Sequence, residues 1–155
     1  MKYANFWKRS LANAIDSVIL SICLIPINLL LTFLAALLLL APNAGTESAS
    51  ATDEQSAALS AIVDLISLAV QIFFGWLYFA IMESSSKQAT LGKQAMGIFV
   101  TDLHGKKISF GKATGRYFGK GISTLIFGIG YLMAAFTEKK QALHDIMAGT
   151  LVVKN

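Results

Sequence analysis

The chain is 155 residues long, 55% apolar and only 14% charged, with a formal net charge of +4. A soluble domain carries about a quarter charged residues, so the composition excludes an ordinary water-soluble globule and leaves a single membrane-embedded domain over 1–155. The basic residues cluster beside apolar runs, which makes the lipid bilayer their partner rather than nucleic acid, and so few spans call for a homo-oligomer.

From Ser17 to Ala41 the chain runs 25 residues without a charge. At ~1.5 Å per helical residue this crosses a ~30 Å hydrocarbon core, and a span is expected over about 11–41. Lys2, Lys8 and Arg9 make a basic start, but a signal sequence has an apolar region of only ~7–15 residues, so no cleavage is expected. Asp16 stands at the mouth of the run, Arg9 seven positions before it and Asn13 between them, nearly on one helical face. An ionisable group drawn into lipid costs roughly 2.5–3.5 kcal/mol and calls for a function or a partner. Arg9 and Asp16 pair with each other, or each pairs elsewhere in the fold. Cys23, the single cysteine, reads as packing, and Pro26 as an ordinary transmembrane proline or a kink beside a path.

Asn43 to Ser56 is small and polar, holds Glu47, Asp53 and Glu54, and reads as an exposed loop. A second span follows over about 57–82, with Ser60, Asp64, Ser67, Gln71, Gly75 and Tyr78 on one face at helical spacing. In lipid such a face meets another helix or water. Interhelical hydrogen bonding is one reading; a cation or proton path stepping through Asp64 and Gln71 is the other.

The segment 83–116 carries Lys87, Lys93, Lys106, Lys107, Lys112 and Arg116. The preference of such residues for short cytoplasmic loops puts the N-terminus and this segment inside and the acidic linker outside. Around Leu103-His104-Gly105 the alternation of apolar and polar residues reads as a β-hairpin over Gly97 to Phe110, with Gly105 at positive φ and Ser109 capping the next helix. Gly111, Gly115, Gly119 and Ser123 recur at every fourth position, a face built for close helix packing. The third apolar segment, about 117–137, spans or is re-entrant. Gly128-Ile129-Gly130 can break it, and the positive-inside rule favours a return that keeps Lys139, Lys140 and Lys154 inside. In the closing segment 138–155, Asp145 is expected within reach of Arg9 or Arg116.

No phosphate-binding glycine loop, zinc-protease motif or nucleophile elbow occurs, so neither an enzyme nor a cofactor or metal site is expected. FWKRSLANAIDSVIL, TLGKQAMGIFVTDLHGKKISFGKATGRY and QALHDIMAGTLVV together resemble the RDD family of small multi-pass membrane proteins, named for one arginine and two aspartates. Matched to that pattern, the arginine is Arg9 and the aspartates are Asp16 and Asp145. Gly92, Lys93 and Gly97, the helix residue Arg116, and Gly149 with Thr150 match its other motifs. The resemblance implies a helical membrane domain and, from the activity attributed to some members, cation/proton exchange.

The expected protein is therefore all-α and integral to a bacterial inner membrane. It has two spanning helices, a third apolar segment and a small cytoplasmic β-hairpin. Its expected activity is exchange of a monovalent cation for protons at Asp16, with Arg9, Asn13, Asp64, Gln71 and Asp145 as further ion or proton candidates. The rival is a non-transporting scaffold that docks a partner through its glycine-rich helix and basic hairpin.

Overall fold

The computed structural model describes residues 2–40 and 49–154. Two long helices, α1 (Phe6–Leu40) and α2 (Ala49–Glu83), are each long and apolar enough to cross a membrane. Helix α1 starts ahead of the apolar run, so Arg9, Asn13 and Asp16 all lie in its first three turns. Helix α2 starts eight residues before the expected second span. Alanine, glutamate and glutamine favour helix there and no glycine or proline stops it. The rest of the expected linker, 43–48, falls outside the described residues.

The chain divides into two compact units, Leu20–Phe74 and the remainder. In the first, Ile22, Leu29, Phe33, Leu38, Leu65 and Leu68 are exposed, a surface that only lipid or another apolar chain would cover. Cys23 is exposed there too, not packed inside. Asn28 closes its amide onto the Leu24 carbonyl at 3.0 Å, so its polar group is satisfied within its own helix.

In the second unit, a short helix α3 (Leu91–Ala95) leads into strand β1 (Ile98–Asp102). The expected hairpin is met at its turn and corrected at its partner. Gly105 adopts φ +79°, and the Asp102 carboxylate accepts from the backbone N–H groups of His104 and Lys106, both at 2.8 Å. The strand paired with β1, however, is the C-terminal β2 (Thr150–Lys154), antiparallel with Val100 opposite Val152. Leu151, Val152 and Val153 are all buried, which two lysines and one isoleucine after the turn cannot match. The N-terminal segment adds to the same sheet, Ala4 N–H donating to Val152 O at 2.9 Å.

Ile108 instead joins the core with Ala12, Ala80, Ile98, Val100 and Val152. Ser109 caps helix α4 (Phe110–Leu125), its hydroxyl accepting from the Lys112 N–H. A bend of 104° separates α4 from α5 (Ile129–Phe136). Gly128 takes φ +75° at this break, the conformation a residue without Cβ adopts freely. Helix α6 (Leu143–Ala148) then delivers the chain to β2. The third apolar segment is thus a pair of helices bent at Gly128, and the chain that follows it pairs with β1. At ~24 Å, from ~1.5 Å per residue, α4 alone falls short of the ~30 Å hydrocarbon core. Its turn exposes Leu125 and Phe127.

The glycine face divides. Gly119 lies against the His144 backbone and Ser123 against Gly130, whereas a Cβ at Gly111 or Gly115 would meet nothing within 4 Å.

Candidate functional site

The polar side chains buried in the second unit form two linked clusters. In the first, Asp16 is fully buried and accepts three hydrogen bonds: from Tyr78 Oη at 2.8 Å, Thr90 Oγ1 at 2.6 Å and the Gly92 N–H at 2.7 Å. Thr90 is the N-cap of α3, its Oγ1 also accepting from the Lys93 N–H. Asp16 therefore holds the start of α3, where orphan N–H groups and the helix dipole favour an anion. Helices α1 and α3 approach closely here: a Cβ on Gly92 would lie 2.2 Å from the Ala12 carbonyl oxygen.

Arg9 does not pair with Asp16, which corrects one of the two expected arrangements. Its Nη1 donates to Asp145 Oδ2, and its Nε to the Ala4 carbonyl at 3.3 Å. Asp145 has a second cation, Arg116, whose Nε lies 2.8 Å from Oδ1 with its N–H off the line of contact. Arg116 Nη1 also donates to Glu83 Oε2 at 3.1 Å, and Glu83 Oε1 binds the Lys93 ammonium. The result is a chain of alternating sign, Lys93, Glu83, Arg116, Asp145 and Arg9. All five side chains are nine-tenths or more buried. Neutral replacement of such a chain is often tolerated, but removal of one member leaves a bare buried charge.

Burial alone would raise the Asp145 carboxyl, but Arg116 and Arg9 outweigh it and hold the group well below the usual carboxylate range. Burial pulls the Lys93 ammonium below its ordinary value, more than Glu83 raises it. His144, beside Asp145 and 3.4 Å from Ser123 Oγ, is pushed down to about 3 by burial, against the pull of Asp145 and with help from Arg116, Lys120 and Lys93. The native imidazole thus stays neutral where the unfolded one takes a proton. Between about pH 6.5 and about 3 the unfolded state binds the extra proton, so stability is whole above 6.5 and falls on acidification. The slope reaches at most ~1.4 kcal/mol per pH unit. Thermal midpoints measured across this range are expected to drop in the natural protein and to flatten in His144→Gln. The loss below pH 3.8 that belongs to Asp145 remains in both.

Asn13 and Arg9 line a cavity of about 100 Å³ together with Lys93, Arg116, Lys120 and His144. Asp64 and Gln71 belong to the other unit and are exposed on its helix. Sequence reasoning overlooked Glu83, which it read as a span boundary. The available signal was that Glu83 is the only carboxylate between Asp64 and Asp102, beside two lysines.

The model of the RDD family matches residues 3–149. The uncharacterized protein YxaI of Bacillus subtilis (strain 168) is 36% identical over 152 residues, which cover 98% of this chain and 97% of that protein. No solved structure matches. Asp16 thus stands as a carboxylate that caps a helix, and Arg9 with Asp145 as a buried ion pair that ties α1 to α6. A family match across nearly the whole chain and a full-length relative place this protein in the RDD family.

Proposed function

We propose that this protein is a non-transporting membrane module, an accessory subunit or scaffold, rather than an exchanger of cations for protons. One observation carries the reading: every buried carboxylate of the second unit is already held. Asp16 has three donors, Glu83 two cations and Asp145 two guanidinium groups. A coupling carboxylate must offer its oxygens to a cation in place of a proton, and the oxygens of these three are engaged by protein donors and cations. Arg9, Lys93, Arg116 and Lys120 around the cavity also repel a monovalent cation. As a module, the chain lies in the bacterial inner membrane with its N-terminus and sheet on the cytoplasmic side, in keeping with the distribution of lysines and arginines. The open glycines Gly111 and Gly115 offer a partner helix close approach. The exposed Asp64 and Gln71 offer interhelical hydrogen bonds within a homo-oligomer.

Proteoliposomes loaded with a pH-sensitive dye and pulsed with Na⁺, K⁺ or Li⁺ test this. The expected proton movement is that of protein-free vesicles, with and without Asp16→Asn. Cation-dependent proton flux that Asp16→Asn abolishes would restore the exchanger.

A further inference from the structure

We propose that the cavity between α1, α4 and α6 is a binding site for a small oxyanion of the phosphate type. Four cationic side chains line it, Arg9, Lys93, Arg116 and Lys120. The carboxylates set against them are Glu83, Asp145 and, beyond Thr90, Asp16. With all of these groups ionised one positive charge is left over among buried side chains, where an uncompensated ion is costly, and burial accordingly pulls the Lys120 ammonium down to about 7.

The unmatched charge and an unmatched donor occur together. Arg9, nine-tenths buried, spends Nε on Ala4 and Nη1 on Asp145, while Nη2 is buried without a hydrogen-bond partner among the described residues. The Lys120 ammonium sits 3.7 Å from the Phe79 ring centroid, and among the described residues no carboxylate oxygen lies within 4 Å of it. Asn13 adds a neutral amide to the same wall, and Ser10 and Tyr131 add hydroxyls. The remaining guanidinium nitrogen of Arg9, an ammonium and neutral donors around one space match the several acceptor oxygens of a phosphate.

At about 100 Å³ the cavity is large enough for a tetrahedral oxyanion or a single headgroup phosphate. The site sits on the first turns of a helix that goes on into the apolar span. Both free phosphate and a lipid phosphate can therefore reach it.

The test uses the full chain purified in lipid-free neutral detergent. Inorganic phosphate is expected to raise the thermal midpoint saturably, and chloride at matched ionic strength is not. Asn13→Leu fills the cavity and touches none of the ion pairs; it is expected to melt cooperatively and lose the phosphate response. Lys120→Gln, which also breaks no ion pair, is expected to weaken the apparent phosphate affinity by about tenfold, the worth of one charge-assisted contact. In phosphatidylglycerol nanodiscs, a phosphate response that persists assigns the site to the free ion, and one that vanishes assigns it to the headgroup. No advantage of phosphate over chloride in detergent, or an undiminished response in Asn13→Leu, overturns the site.

Discussion

Asp145→Asn is expected to destabilise the protein by about 3–5 kcal/mol, the range found when one partner of a buried ion pair is removed. The carboxylate serves two guanidinium groups and also accepts from the Ala142 N–H at 3.1 Å, which starts α6. Asparagine keeps the shape and one acceptor, but it turns an amide toward cations that have lost their counter-charge. Chemical or thermal unfolding in detergent reads the loss. Adding Arg9→Gln removes one of the two stranded charges, so the double variant is expected to lose less than the sum of the two single ones. Strict additivity would show that Arg9 and Asp145 do not depend on each other.

Gly92→Ala is expected to be nearly as damaging. The added Cβ lands 2.2 Å from the Ala12 carbonyl oxygen and 2.9 Å from the Asp16 carboxylate, and a helix backbone cannot step aside as a flexible side chain does. Overpacking typically costs about 1–3 kcal/mol, and here α3 must also leave the carboxylate that caps it. Gly111→Ala and Gly115→Ala are the controls. Each sits in α4 with nothing within 4 Å of the new methyl, so each is expected to stabilise the isolated chain by roughly 0.5–1 kcal/mol. Destabilisation at both would mean that the open glycine face is occupied in the purified protein.

Hydropathy made the two long helices legible, because 18 or more uncharged apolar residues in a row have few other homes. The partner of β1 was not legible. TLVVK has no alternation to mark a face, and it pairs with residues some fifty positions earlier, which no local pattern encodes. Asp145 was legible as a partner because a buried arginine demands an anion. The surroundings of Asp16 were hidden for the opposite reason: a tyrosine hydroxyl, a threonine hydroxyl and a backbone N–H carry no charge to signal them. Glu83 was misread because a carboxylate at a helix end ordinarily faces water, and here it lies between Lys93 and Arg116.

Arg9 and Asp145 are 136 positions apart in the chain. At ~5–20 residues per second of synthesis, on the order of ten seconds pass between the emergence of the guanidinium and that of its carboxylate. Through that interval α1 must wait at the membrane boundary with an unmatched arginine, exposed to chaperones and proteases. A chain that stops before α6 leaves the Arg9 guanidinium without the Asp145 carboxylate that it pairs with in the finished fold.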